Sequence, residues 1–224
     1  EVARIARHYK LRLMCRLVKG AYWDTEIKRA QELGLAHYPV FTHKHHTDLS
    51  YLACAQALLG HADLIYPQFA THNAATIAAI MQMAAGSAGA PSSPAFELQR
   101  LHGMGEGVYR EVLANTQVRC RVYAPVGAHR DLLAYLVRRL LENGANSSFV
   151  HQLTDESLGM DRLLLSPLRA EPGPSLPLPA HLYGPTRRNS MGFDVADDAQ
   201  LQTLLAALPN SPVPRVPEFD PARA

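Results

Sequence analysis

Four polar side chains in the second half of the chain have the spacing of one helical stripe. The stripe, at i, i+3, i+4 and i+7, consists of Tyr135, Arg138, Arg139 and Glu142. Two adjacent guanidiniums beside a phenol and a carboxylate have the chemistry to hold a small carboxylate ligand through paired hydrogen bonds. The alternative is a solvated helix face with an ordinary i,i+4 ion pair. The opposite side of this helix is apolar, with Leu133, Leu136, Val137, Leu140 and Leu141.

Polar and small residues also collect where buried, strand-like runs end. The first such run leads through Arg16 and Lys19, breaks at Gly20 and opens a predicted helix at Trp23. The other strand ends carry Thr42 with His43, Ala70 to Asn73 (which include Thr71 and His72), Gln99, and Tyr123. In barrels and open α/β sheets the site lies at the carboxyl ends of the strands. These residues therefore indicate one shared site, although a helix cap at Asn73 and a core tyrosine at Tyr123 are alternatives.

Three further features have less specific chemical interpretations. The motif His43-Lys-His-His46 suggests a metal site, but it lacks i,i+4 histidine spacing, so we expect no metal. The glycine-rich Gly103-Met-Gly-Glu-Gly107 lacks the full G-x-G-x-x-G form, which favours a strand-to-helix turn. Trp23 has the chemistry to stack on a planar ligand, and half-buried packing is the alternative.

The elements that must position these residues alternate between strand and helix, which is typical of a parallel sheet. Predicted strands cover Leu11–Val18, Pro39–Thr42, Asp63–Phe69, Ala95–Leu101 and Val118–Tyr123. Predicted helices cover Val2–Tyr9, Trp23–Leu33, Asp48–Leu59, Asn73–Ala85, Gly105–Ala114 and Arg130–Asn143. The strands are apolar, so we expect both faces of the sheet to be covered. A chain that begins inside a helix favours a (β/α)8 barrel without its first three units, and a doubly wound sheet is the alternative.

Composition and charge exclude several classes of protein. A chain of 224 residues with 47% hydrophobic and 19% charged residues is typical of a soluble globular protein. Its net charge of +2 gives no electrostatic footprint for nucleic acid, and no apolar run approaches the ~20 residues of a spanning helix. The three cysteines, Cys15, Cys54 and Cys120, predict buried reduced thiols and a reducing, cytoplasmic compartment.

The composition changes towards the end of the chain, where 11 of the 16 prolines fall within Pro167–Pro221. The run Pro172–Pro179 predicts an extended linker, and a short helix is predicted at Ala196–Leu208. We interpret residues 1–150 as the second half of a barrel domain and residues 151–224 as a linker and the start of a connection to a further domain. The start at Glu1 is interpreted as a truncation.

Six segments of the chain form longer motifs: RLVKGAYWD (16–24), YPVFTHKHHTDLSYLACA (38–55), LIYPQFATHNA (64–74), LHGMGE (101–106), VYAPVG (122–127) and LAYLVRRLLENGANSSFV (133–150). These segments closely resemble the proline dehydrogenase domain of bacterial bifunctional proline utilisation proteins. The segment LPLPAHLYGPTRRNSMGFDVAD (176–197) resembles that family's connection to an aldehyde dehydrogenase domain.

The resemblance implies a (β/α)8 TIM-type barrel, here strand four to helix eight, with FAD at the strand carboxyl ends. Arg16 should lie beside flavin N5, and Trp23 near the adenine. The implied FAD-binding residues are Arg16, Val18, Lys19, Gly20, Ala21, Trp23, Thr42, Thr71, His72, Asn73 and Gln99. The implied substrate pocket consists of Leu101, Tyr123, Tyr135, Arg138, Arg139 and Glu142, with the arginines on the carboxylate and Glu142 orienting them. Arg16 and Tyr123 are the implied catalytic residues, and no metal is implied.

The resemblance also implies a reaction and its partners. L-Proline should be oxidised to Δ1-pyrroline-5-carboxylate by hydride transfer to FAD, and electrons should pass to a membrane quinone. The full protein is then expected to be cytoplasmic with peripheral membrane contact, and to carry an L-glutamate γ-semialdehyde dehydrogenase that completes catabolism to glutamate.

A lysine and an aspartate of the family fall before Glu1. Residues 1–224 alone are therefore expected to expose strand edges and not to oxidise proline. The alternatives are another TIM-barrel enzyme acting on a phosphorylated small molecule, or an inert or scaffolding fragment.

Overall fold

The computed structural model describes residues 1–20, 22–86, 96–144, 159, 161, 164–170 and 173–210, with the backbone alone at 141–144 and 210. The chain divides into two compact units. One contains Glu1–Trp23 and Phe41–Ser175, and the other contains Asp24–Val40 and Leu176–Ala224. Three predicted features lie outside the described residues: Ala21, the side chain of Glu142 and the final proline-rich stretch.

The secondary structure confirms each predicted helix and four of the five predicted strands. The helices are α1 (Val2–His8), α2 (Trp23–Glu32), α3 (Lys44–Leu59), α4 (Ala74–Ala85), α5 (Glu106–Asn115), α6 (His129–Gly144) and α7 (Asp198–Ala207). The strands are β1 (Leu13–Leu17), β2 (Ile65–Ala70), β3 (Glu97–Leu101) and β4 (Arg119–Tyr123). Short 3-10 helices cover Pro179–His181 and Leu208–Asn210. Nowhere in the described part of the chain does a helix combine the length and apolarity needed to cross a membrane.

The four strands form one parallel sheet in the order β1-β2-β3-β4. Leu13 lies opposite Ile65 at the start of the first ladder, and a helix connects each strand to the next. This is the predicted α/β fold. Within the described residues the sheet does not close on itself, and it corresponds to part of a (β/α)8 barrel.

The predicted strand at Pro39–Thr42 is wrong. These residues form bends, and β1 pairs directly with β2 from Leu13 to Leu17. Because β2 takes the place beside β1, these four residues have no partner strand on that side of the described sheet. Apolarity alone does not separate such a run from a strand.

The two faces of the sheet differ, which corrects the prediction of strands that are apolar on both sides. One face packs on the helices, and its core contains Tyr51, Ala55, Phe69, Ile77, Ile80, Phe96, Leu98, Tyr109 and Val118. Successive side chains of a strand alternate between faces. The other face therefore carries Arg16, Gln68, Glu97, Gln99, Arg121 and Tyr123, which we call the polar face. Of these residues, Gln68, Glu97 and Arg121 are not among the predicted site residues, because each stands between two apolar neighbours.

The two outer strands of the described sheet are more exposed than the inner pair, as predicted for an open sheet. Met14 of β1 is 70% exposed and Val122 of β4 is 46% exposed, whereas Phe69 of β2 and Leu98 of β3 are fully buried. The ladders place β1 and β4 at the two ends of the described sheet. Each of these strands thus presents unpaired backbone groups along one side.

The three cysteines are free thiols, as predicted. Their expected burial is wrong for Cys54, which is exposed, whereas Cys15 and Cys120 are half-buried. The reason is helical geometry, since Tyr51 and Ala55 turn towards the core and Cys54 falls on another side of α3.

The second unit gives the proline-rich segment specific contacts. The Tyr38 hydroxyl donates to the Pro177 carbonyl at 2.7 Å, and Asn189 Nδ2 donates to the Gln31 carbonyl at 3.0 Å. The predicted short helix is confirmed as Asp198–Ala207. The interpretation of residues 151–224 as a connection to a further domain stays a prediction.

Candidate active site

The carboxyl ends of three strands are joined through the side chain of Arg16. Its Nε donates to Gln99 Oε1 at 2.9 Å, and its guanidinium carbon lies 5.1 Å from the centre of the Tyr123 ring. Arg16 belongs to β1, Gln99 to β3 and Tyr123 to β4. The structure thus brings together three residues that the sequence placed at separate strand ends.

The loop after β2 is fastened to β3 by backbone and side-chain hydrogen bonds. The Thr71 N–H donates to the Gln99 carbonyl at 3.3 Å. The buried Tyr109 hydroxyl donates to the Thr71 carbonyl at 2.7 Å and contacts the Gln99 carbonyl at 3.1 Å. A core tyrosine therefore holds the ends of β2 and β3 in a fixed position relative to each other.

His72 is a neutral imidazole whose ring accepts one hydrogen bond from the backbone. Its Nε2 accepts from the Leu101 backbone N–H at 3.0 Å. Burial, with smaller effects of Arg139 and Arg100, lowers the pKa of His72 to about 4. Because Nε2 is the acceptor, the proton of the neutral ring lies on Nδ1, which can donate to a ligand.

The glycine-rich segment Gly103–Gly107 is a turn between β3 and α5, as predicted. Gly105 has a φ of +67° and begins α5 as its N-cap. A β-carbon at this position would lie 3.1 Å from His72 Cδ2. The absence of a side chain at Gly105 therefore allows His72 its close approach to the turn.

The Lys19 ammonium forms its contacts with other side chains of the protein. Its Nζ lies 2.8 Å from Asp48 Oδ1 and 3.3 Å from Thr76 Oγ1, and 4.9 Å from the centre of the Tyr51 ring. Burial lowers the pKa of Lys19, and the negative charge of Asp48 opposes that effect. The ammonium thus ties the end of β1 to α3 and α4.

The remaining residues near β1 surround an open surface. Val18 is exposed, and Gly20 has a φ of +63° with no atom within 4 Å of the position of a β-carbon. Trp23 is half-buried, and its Nε1 donates to the Phe41 carbonyl at 2.8 Å. The indole therefore has its ring face, rather than its N–H, to offer a ligand.

Two predicted cofactor residues have less direct links to this cluster. Asn73 Oδ1 accepts from the Thr76 N–H at 2.9 Å and caps α4, which confirms the capping alternative. Thr42 lies in the bend before α3. Among the described residues, no hydrogen bond joins Thr42 to Arg16, His72 or Gln99.

Helix α6 presents the predicted stripe with its polar side more buried than its apolar side. Tyr135, Arg138 and Arg139 are half-buried, whereas Leu133 is 62% and Leu140 is 72% exposed. This arrangement reverses the usual orientation of a surface helix. It is the arrangement expected if the polar stripe faces a ligand site.

Both arginines of the stripe lie over aromatic rings. The guanidinium carbon of Arg138 is 5.0 Å from the centre of the Tyr22 ring, and that of Arg139 is 5.2 Å from the centre of the Tyr135 ring. Stacking uses the flat face of a guanidinium and leaves its in-plane N–H groups able to donate to an anion. Arg138 reaches the loop after β1 in this way, and Arg139 is close enough to His72 to affect its pKa.

A charged network on the polar face was missed by the sequence analysis. Both oxygens of the buried Glu97 carboxylate accept from Arg121, at 2.7 and 2.9 Å, and Oε1 also accepts from Gln68 and Gln99, each at 2.8 Å. The hydrogen bonds from Arg121 lower the pKa of Glu97 to about 2 despite burial. A period of two could have found it, since Glu97 and Arg121 stand two residues before Gln99 and Tyr123.

Metal binding finds no support in the described part of the chain, where no group of three or more His, Cys, Asp or Glu side chains is arranged to hold an ion. The rings of His43, His45 and His46 do lie near one another, with His45 and His46 centred 4.2 Å apart. His43 also lies 3.3 Å from the Ser175 hydroxyl.

The fold and the cluster define the class. This is a parallel α/β protein with a basic, donor-rich site at the carboxyl ends of its strands, as in (β/α)8 enzymes. A sequence profile described as proline dehydrogenase matches residues 1–152. The chain belongs to the proline dehydrogenase family.

Relatives and solved structures agree with this assignment. The Bifunctional protein PutA of Escherichia coli (strain K12) is 53% identical over 92% of this chain and 17% of that protein. Proline dehydrogenase 1 of Bacillus subtilis (strain 168) is 36% identical over 60% of this chain and 39% of that protein. The chain thus spans under a fifth of the length of its PutA relatives and under half that of the Bacillus protein.

Two solved structures show the same fold. A mutant of Bradyrhizobium japonicum Proline Utilization A (PutA) matches with a TM-score of 0.84 and 51% identity, over 97% of this chain and 22% of that chain. PutA from Bdellovibrio bacteriovorus, inactivated by N-propargylglycine, matches with a TM-score of 0.79 and 35% identity, over 93% of this chain and 21% of that chain.

Proposed function

We propose that this chain forms part of a flavin-dependent enzyme that oxidises L-proline to Δ1-pyrroline-5-carboxylate. The observation that carries the proposal is that two basic groups of residues lie near the carboxyl end of β1. Arg16 lies at the strand ends with Gln99 and Tyr123, and Arg138 of α6 reaches Tyr22 in the loop after β1. Family membership supplies the substrate.

The donor set fits FAD. Arg16, Thr71 and His72 Nδ1 can donate hydrogen bonds, and the edge of a flavin ring presents acceptors. Trp23 offers an aromatic face beside the open surface at Gly20. FAD, when bound, supplies the redox chemistry by accepting a hydride from the substrate. Lys19 is assigned to the support of the β1 end rather than to cofactor contact, because Asp48 and Thr76 already engage its ammonium.

The substrate's carboxylate is assigned to Arg138 and Arg139, since paired guanidiniums bind carboxylates with strong, directional hydrogen bonds. Leu101, Tyr123 and Tyr135 complete the proposed pocket, and the family resemblance assigns Glu142 to orient the arginines. Catalysis by these residues consists of holding the reacting carbon in a near-attack position. The positive charge of Arg16 would also favour the negative charge that develops on the reduced acceptor.

Several finer parts of the proposal rest on the family resemblance. They are the delivery of electrons to a membrane quinone, peripheral membrane contact of a cytoplasmic protein, and a second activity that oxidises L-glutamate γ-semialdehyde. The name of the PutA relatives, which calls them bifunctional, supports the last of these.

Anaerobic titration of the full-length protein tests the proposal. L-Proline should bleach the flavin absorbance and yield Δ1-pyrroline-5-carboxylate, identified by mass spectrometry. N-propargylglycine should inactivate the protein, as it did PutA from Bdellovibrio bacteriovorus. A purified protein that binds no FAD, or whose flavin L-proline leaves oxidised, would contradict the proposed function.

A further inference from the structure

The carboxylate of Glu97 is the most heavily hydrogen-bonded side chain on the polar face. It is 4% exposed and accepts four hydrogen bonds, two from Arg121 and one each from Gln68 and Gln99. Such saturation leaves little capacity to take a proton from a ligand. A role as a direct base is therefore disfavoured, and the question becomes what this buried charge does for its neighbours.

The contact with Gln99 has a directional consequence. A side-chain amide has one donor end and one acceptor end, and a carboxylate can only accept. Glu97 therefore fixes the Nε2 end of Gln99 towards itself, at 2.8 Å. The Oε1 end must then point the other way, where it accepts from Arg16 Nε at 2.9 Å.

The opposite amide orientation would set a donor against the donor of Arg16. Glu97 thus excludes that orientation without touching Arg16. With Nε anchored and the guanidinium lying over the Tyr123 ring at 5.1 Å, the direction of the two terminal nitrogens of Arg16 is set by the strands themselves.

We propose that Glu97 is a positioning residue that aims the Arg16 guanidinium at the redox cofactor through the amide of Gln99. This inference rests on the proposed function, because it takes Arg16 to lie beside the flavin. It goes further in naming a relay from Glu97 through Gln99 to Arg16, in which a buried negative charge in β3 orients a positive charge in β1.

The test compares Glu97→Gln with a matched control, Gln68→Met, in the full-length protein. The control removes one of the four hydrogen bonds to Glu97 but keeps both the ion pair with Arg121 and the relay, so its loss should be tolerated. Glu97→Gln should slow flavin reduction by about 10- to 100-fold, as expected for a misplaced catalytic group, with little change in the KM for proline. It should also lower the flavin midpoint potential, because a misaimed guanidinium stabilises the reduced flavin less.

A double-mutant cycle separates positioning from a general structural effect. If Glu97 acts through Arg16, Glu97→Gln should have little further effect on rate or potential in an Arg16→Met background. Gln99→Met breaks the relay while keeping the Glu97–Arg121 pair, so it should lower the reduction rate and the potential in the same way. This variant keeps the proposal testable if Glu97→Gln folds poorly.

Two results would overturn the relay while leaving the proposed function intact. One is an undiminished effect of Glu97→Gln on the potential in the Arg16→Met background. The other is a Gln99→Met protein with the wild-type potential and reduction rate. A wild-type protein without FAD would instead overturn the proposed function and the relay together.

Discussion

The two faces of the same parallel sheet have different roles. On the helix-covered face, Phe69 and Leu98 are fully buried among apolar side chains. On the polar face, Gln99 of β3 hydrogen bonds to Arg16 of β1 and to Glu97 of its own strand. The strands thus supply the folding free energy with one set of alternate residues and arrange charges with the other set.

This comparison also explains how so many charges can stand in an apolar stretch of sequence. The buried charge of the polar face, Glu97, is paired with Arg121 within the protein, so its burial leaves few donors or acceptors unsatisfied. Burial of the apolar face offsets the conformational entropy that the chain loses on folding. We therefore expect substitutions on the first face to change stability, and substitutions on the second to change chemistry.

The largest expected effect on stability is that of Phe69→Ala on the apolar face. Removing a fully buried phenylalanine should lower the free energy of unfolding by about 3–5 kcal/mol, because it loses buried area and leaves a cavity. Urea unfolding of the full-length protein measures the loss. Val122→Ala, at a position that is 46% exposed, is the control and should cost much less. Equal losses in both variants would remove the distinction between core and edge.

The matching change on the polar face is Arg16→Met. It should reduce the rate of flavin reduction by proline by about 10²–10³-fold, the range for the loss of one group that stabilises developing charge. The unfolding temperature should change little, since Arg16 is exposed. Arg12→Met is the control, at a residue just before the amino end of β1 whose guanidinium carbon lies 5.4 Å from the centre of the Tyr66 ring. A normal reduction rate with only a raised KM would move Arg16 away from the reacting edge of the flavin.

Tyr109 connects the two faces, because its ring lies in the core and its hydroxyl reaches the backbone of Thr71 and Gln99. Tyr109→Phe should cost about 1–2 kcal/mol of unfolding free energy, since the buried Thr71 carbonyl loses its donor. Tyr9→Phe, at a residue that is 64% exposed, should have no measurable effect. If thermal unfolding shows no difference between the two variants, the hydroxyl does not hold the strand ends together.

The smallest expected effect is a pH dependence from His72. The pKa of His72 is about 4 in the folded protein, below the ordinary value of 6.5. As pH falls from about 6.5 to 4, the unfolded chain therefore takes up a proton that the folded protein refuses, and stability is lost over that window. His72→Asn, which keeps an acceptor without titrating, should show a flatter profile there. Identical profiles in urea unfolding at each pH would contradict a neutral His72 in the folded protein.

Local patterns predicted much of this structure. The i, i+3, i+4, i+7 spacing located the stripe of α6, and the Asn73 cap and the Gly103–Gly107 turn follow from residue types alone. Alternation of strand and helix gave the parallel sheet.

What could not be predicted depends on strand pairing. The hydrogen bond from Arg16 to Gln99 spans 83 residues of sequence, and it exists because register sets β1, β2 and β3 side by side. The contact of Arg138 with Tyr22 is likewise long-range. The prediction of a strand at Pro39–Thr42 was wrong for a related reason. The apolar residues of this run carry no information about whether a partner strand is present.

One cycle of substrates and variants tests directly whether the arginine stripe of α6 binds the carboxylate of the substrate. Single-turnover flavin reduction by L-proline and by pyrrolidine, which lacks the carboxylate, is compared in wild-type and Arg138→Met full-length protein. Arg130→Met is the control, since that side chain on the same helix is 91% exposed.

The wild type and Arg130→Met should prefer proline strongly, and Arg138→Met should lose most of that preference. The loss should amount to about 3–5 kcal/mol, because a buried ion pair is broken for proline and no pair exists for pyrrolidine. An unchanged preference for proline in Arg138→Met would contradict the account.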